Sequence, residues 1–206
     1  MAGKAAAKKR KAAAGKPKVT AREFSRLGAF AAGASEINVV IETPKGSRNK
    51  FNYDDALGLF KLGGVLPAGA VFPFDFGFVP ATLGGDGDPL DVLVLMDEPA
   101  FTGCLVEARL VGVVEALQTE RDGERTRNDR LIAVASEADL HKGIRRLGQL
   151  DEHLVEEIEH FFVSYNEVKG KTFEPQGRHG SRRAREIVEE GVRRYRRGKR
   201  GASKKD

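Results

Sequence analysis

A chain of 206 residues, 40% hydrophobic and 32% charged, has the material for one domain of ordinary size with some chain to spare, and it holds no apolar run long enough to cross a bilayer. Its one cysteine, Cys104, excludes a disulfide scaffold or a cysteine-based zinc cluster. The net charge of +5 conceals a segregation: residues 1–24 carry 8 Lys/Arg against 1 acid, residues 178–206 carry 12 against 4, and the stretch between carries 15 against 25. Blocks of like charge repel one another and resist burial. The sequence therefore predicts a basic disordered tail over 1–24, a globular body over 25–177, and a basic amphipathic helix with its tail over 178–206. The opening MAGKAAAKKRKAAAGKPK lacks the apolar centre of a secretory signal, which makes the cytoplasm the expected location and an organellar transit peptide the weaker alternative.

In chain order, INVVIE reads as a buried strand ended by the turn TPKGSRNK, and FNYDDALGLFKLGG carries the Asp-Asp and Gly punctuation of a hairpin. DVLVLM, CLVEARLVGVVEAL and RLIAVA follow as short β-branched runs with loops between them. A helix is expected from Asp151 as N-cap, with Leu154, Ile158, Phe161, Phe162 and Tyr165 on one side. A second is expected over about 181–197, with Ile187, Val188, Val192 and Tyr195 on one stripe amid arginine. Strands followed by closing helices fit an α+β domain or a small closed barrel.

The chemistry-bearing segment is Gly84-Gly85-Asp86-Gly87-Asp88-Pro89-Leu90-Asp91, with three carboxylates in six residues at the mouth of a strand. Held close, three carboxylates repel unless a cation neutralises them, and oxygen-only ligands suit hard ions such as Mg²⁺, Mn²⁺ or Ca²⁺. A plain tight turn is the alternative, because Asp, Gly and Pro each favour turns for local reasons. An EF-hand loop does not fit, since Leu90 falls at the fifth position and Asp91 at the sixth. His141, His153, His160 and His179 show no ligand spacing.

Glu42 in INVVIETP, the following Lys50, FPFDFGFVP, GDGDPLDVLVL, VGVV and HFFVSY occur in the order found in family I soluble inorganic pyrophosphatases, and the sequence resembles that family from about Ile37 to Glu174. The resemblance implies a five-stranded OB-like closed β-barrel with flanking helices, bound Mg²⁺ (or Mn²⁺), and hydrolysis of pyrophosphate to two phosphates. It also implies a homo-oligomer. Asp86, Asp88 and Asp91 match metal-binding aspartates, Asp88 being the residue that orients or deprotonates the attacking water, with Glu42 behind them. Lys50 and Tyr165 match phosphate-contacting residues; on their own, a lysine beside a turn is more often a surface charge and a tyrosine at helical spacing more often core.

Several positions depart from the pattern. Asn52 replaces an acid, Gly64 stands where an arginine is expected with Lys61 the nearest cation, and Phe72 and Phe76 replace two tyrosines. In the longer loop TERDGERTRNDRL, Asn128 takes the place of an aspartate and Arg130 that of a lysine, leaving Glu120, Asp122 or Asp129 to supply further metal ligands. The family's Tyr-Lys pair is Tyr165-Asn166. The competing expectation is a non-catalytic or altered-specificity barrel whose basic tails hold nucleic acid or polyphosphate.

Overall fold

The computed structural model describes residues 24, 27–33 and 35–202, so the expected tail over 1–24 lies, Phe24 apart, outside the described residues. Every residue of β1 (Ile37–Thr43) is buried, as expected of a β-branched run covered on both faces. The hairpin follows as β2 (Asn49–Asp54) and β3 (Leu59–Val65), a separate two-stranded sheet. Its turn is held by the Asp54 carboxylate, which accepts from the backbone N–H groups of Ala56 and Leu57 at 3.1 and 3.0 Å. The main sheet takes in β4 (Asp75–Val79), β5 (Leu90–Leu95), the 15-residue β6 (Leu105–Thr119), β7 (Arg125–Arg127), β8 (Arg130–Ala135) and β9 (Thr172–Gly180).

The strands of this seven-stranded sheet run in the order β1-β4-β5-β8-β6-β7, with β9 on β6; β5 and β8 are parallel and the other pairs antiparallel. The expectation of a five-stranded OB-like closed barrel is corrected by this arrangement. β1 bends back onto β6, but only along Leu105–Ala108. Farther along β6, residues 112–119 pair instead with β9, which pairs with no other strand among the described residues. The physical reason is length: β6 outruns the strands beside it, and its second half is taken by β7 and β9, so a seven-stranded mixed sheet stands where a five-stranded closed barrel was expected. The α+β character stands.

α1 (Glu152–Glu167) starts where its cap requires, the Asp151 side chain accepting from His153 N at 2.9 Å. It buries Val155, Ile158 and Phe162 against the sheet, with Leu154, Phe161 and Tyr165 half-buried beside them. α2 (Ser181–Ala202) follows β9 directly and, for all its arginine, sets Ala184, Ile187 and Val188 into the same core. It also touches the loop between β4 and β5: Leu83 N donates to Gly191 O at 3.1 Å. Among the described residues, no helix is long and apolar enough to cross a membrane.

Candidate active site

The loop from Pro80 to Pro89 is fastened at both ends by one buried hydroxyl. Thr82 Oγ1 donates to Val79 O at 2.6 Å and accepts from Leu90 N at 3.0 Å. Inside it, Gly84 N donates to Asp88 O at 2.6 Å and Asp88 N to Asp86 Oδ1 at 3.1 Å, while Gly87 takes φ +91°, a conformation side chains resist. The tight turn and the acid cluster are thus one object: the turn chemistry is what brings Asp86 and Asp88 to the same rim as Asp91.

These acids line a cleft of about 1060 Å³ bounded by the hairpin, the acid loop, the segment joining β6 to β8, and the C-terminal end of α1. Asp86 and Asp88 are exposed at the rim, yet the protein crowding them and the charge of Asp91 both work to raise their carboxyls from the ordinary value. Neither Asp86 nor Asp88 has an ion-pair partner among the described residues, whereas Asp91 meets Arg130 Nη1 at 2.7 Å.

The other wall is cationic and aromatic. Lys50 Nζ donates to Glu42 at 2.7 Å and lies 4.5 Å from the Phe76 ring centre. The Glu42 carboxylate also accepts from Tyr53 N at 2.8 Å; burial raises its pKa, and Lys50 pulls the other way. Arg130 packs over Phe162 and Phe173 at 4.8 and 5.2 Å, with its Nε buried and unpartnered among the described residues. The Tyr165 hydroxyl is pushed up to about 12, first by burial and then by Asp91, so at working pH it is a neutral hydrogen-bonding group. Phe72 and Phe76 give the cleft an apolar floor: Phe72 meets Phe161 at 5.1 Å and Tyr165 at 5.7 Å.

Of the residues singled out from sequence, Glu42, Lys50, Asp86, Asp88, Asp91, Glu120, Arg130 and Tyr165 line this cleft. Asp129 and Asp122 do not. The Asp129 carboxylate turns to Ala116 N at 3.1 Å and Arg127 at 2.7 Å, its pKa raised chiefly by burial, and Asp122 accepts from Glu124 N. Glu120 is engaged by Lys171 at 2.6 Å, a contact that holds its carboxyl below the ordinary range. Lys61 reaches the cleft paired with Asp54 at 3.2 Å, while Asn128 bonds Gln118 at 3.3 Å and also accepts from Arg130. Sequence reasoning missed Lys169, Lys171, Asp54 and Gln118; the only signal was Lys-Gly-Lys just past the helix, which reads as an ordinary helix stop.

Among the described residues, no three His, Cys, Asp or Glu side chains converge into a ready-made ligating group. The donors nonetheless suit a divalent cation in kind. They are hard oxygens, two of the carboxylates without an ion-pair partner among the described residues and raised by partial desolvation and neighbouring acids, in a cleft lined by eight carboxylates against five cationic side chains. Such a site defines a protein that handles a small phosphate polyanion together with cations.

The inorganic pyrophosphatase family model matches residues 39–196. An inorganic pyrophosphatase of Halalkalibacterium halodurans is 37% identical over 159 residues, covering 77% of this chain and 94% of the relative. One from Thermus thermophilus is 39% identical over 162 residues, covering 77% and 90%. The crystal structure of a Thermus thermophilus inorganic pyrophosphatase superposes with a TM-score of 0.76 at 36% identity, covering 84% of this chain and 98% of that one; the Neisseria gonorrhoeae structure gives 0.76 at 31%, covering 84% and 99%. The chain belongs to the inorganic pyrophosphatase family.

Proposed function

We propose that the cleft hydrolyses inorganic pyrophosphate to two phosphates, with Asp86, Asp88 and Asp91 holding Mg²⁺ and the opposite wall holding the substrate. That the chain is a hydrolase of this kind follows from its family membership; the division of labour among residues is our reading of the site. A divalent cation, when bound, neutralises phosphate oxygens and makes a coordinated water more acidic. Mn²⁺ suits the same hard donors, and Glu120 could join them if substrate or cation drew it from Lys171.

The chain's own groups do the rest. Lys50, fixed by Glu42, and Arg130, fixed by Asp91, present N–H donors to phosphate oxygens from pre-set positions, so little freedom is lost when the anion arrives. Tyr165 donates its phenolic proton to a phosphate oxygen. Asp88, on the cleft rim with no ion-pair partner among the described residues, takes the proton from the attacking water; the water oxygen bonds to one phosphorus, the bridging P–O bond breaks, and the departing phosphate leaves with that electron pair. Glu42 positions Lys50 and does not itself meet the water.

The observation that carries this reading is the junction of the two walls at Asp91–Arg130, which sets unpaired carboxylates beside phosphate-binding cations in one cleft. Phosphate release from pyrophosphate, with and without Mg²⁺, tests it. Asp88→Asn is expected to cut turnover by about a hundredfold or more with the melting temperature retained; turnover at the wild-type level would remove Asp88 from its role.

A further inference from the structure

Four of the five cationic side chains lining the cleft already have a carboxylate: Lys50 has Glu42, Lys61 has Asp54, Arg130 has Asp91 and Lys171 has Glu120. Lys169 has none among the described residues. Its ammonium lies 3.9 Å from the centre of the Tyr165 ring, one helical turn back, and donates to that residue's hydroxyl. Around it stand Lys50, Lys171 and Arg130, and the one acid acting on it, Glu120, is occupied by Lys171 and Gln118. Burial first, then these three like charges, bring its pKa down to about 8. A half-buried ammonium among cations is a site short of one anion.

Asn166, which stands where the resemblance puts a lysine, cannot fill that need. It lines the cleft, but its side chain is buried, carries no charge, and spends its Nδ2 donor on Phe162 O at 2.8 Å. The rest of the chain supplies the charge from one turn farther on.

We propose that Lys169 Nζ is a docking point for a terminal phosphate group of pyrophosphate, with the Tyr165 hydroxyl beside it. The inference rests on the pyrophosphatase reading. Lys169 belongs to substrate capture: the other four cations must share or give up a carboxylate to hold the substrate, and Lys169 need not.

The test uses the full chain with Mg²⁺ and compares wild type, Lys169→Met and Lys169→Arg. Loss of one charge-assisted hydrogen bond is expected to raise KM for pyrophosphate about tenfold in Lys169→Met, with kcat altered less than about threefold and the melting temperature unchanged. Lys169→Arg should recover most of the KM, because it restores the charge. Calorimetric titration with inorganic phosphate in the presence of Mg²⁺ should show the same weakening in Lys169→Met. If Lys169→Met misfolds, Lys169→Gln, which keeps a donor toward Tyr165, carries the same comparison. An active wild type with unchanged KM and phosphate affinity in the lysine variant overturns the proposal. An inactive wild type overturns the pyrophosphatase reading instead, and the phosphate titration then decides Lys169 by itself.

Discussion

Gly77 shows how much of this molecule is set by single positions. It lies in β4 opposite Ile41 of β1, and a Cβ there would come within 2.2 Å of Val40 O. Only backbone can pass so close to backbone, so Gly77→Ala is expected to cost about 1–3 kcal/mol by overpacking, read as a lower urea midpoint with an unchanged slope. The sequence marks Gly77 only as the glycine in a run of phenylalanines; that β1 crosses at this distance is a tertiary fact. The acid loop was more legible, because three carboxylates in six residues are a local signal that needs no partner to be noticed. Asp129 shows the converse: the resemblance offered it as one of three loop acids for the metal, but Arg127 and Ala116 N claim its carboxylate, and neither contact has a signature along the chain.

Strands with dense β-branched runs, β1, β5 and β8, could be read directly, and so could α1 from its cap and apolar stripe and α2 from its stripe alone. β9 could not, since Thr172–Gly180 holds Pro175 and glycine and buries little beyond Phe173. What makes it a strand is the free edge of β6, and the ladder slips beside Pro175, where the imino acid has no N–H to give. The same unseen length in β6 undid the barrel. Glu115 on β6 ties these elements together, meeting Arg183 of α2 at 2.6 Å and Arg127 of β7 at 2.7 Å. Burial works against its charged form, yet the Arg183 hydrogen bond and the two guanidinium charges hold its carboxyl below the usual range. A depressed carboxyl stabilises the fold above its unfolded-state pKa and stops doing so as pH falls through the folded value. Glu115→Gln is therefore expected to lower stability by about 1–3 kcal/mol at pH 7, with the two melting curves converging in acid; a gap that persists there would show the effect is not electrostatic.

At the scale of the whole molecule, charge is sorted rather than mixed. The cleft is lined by eight carboxylates and five cations, so a naked diphosphate meets net repulsion on entry. Protein stripped with a chelator should give no calorimetric signal with a non-hydrolysable diphosphate, and Mg²⁺ should restore it; binding to the stripped protein would show that the cationic wall suffices alone. The sequence made this sorting visible as a count of acids in the middle of the chain, but it could not say that α2, basic as it is, belongs to the same packed body. Leu83 of the acid loop leans on Gly191 of that helix, and Leu90 and Thr82 crowd its backbone. An engineer hoping to rid the chain of its basic end by cutting before Ser181 would knock away a buttress of the acid loop; recolouring the arginines on the helix's outer side, one at a time, is the edit the architecture permits.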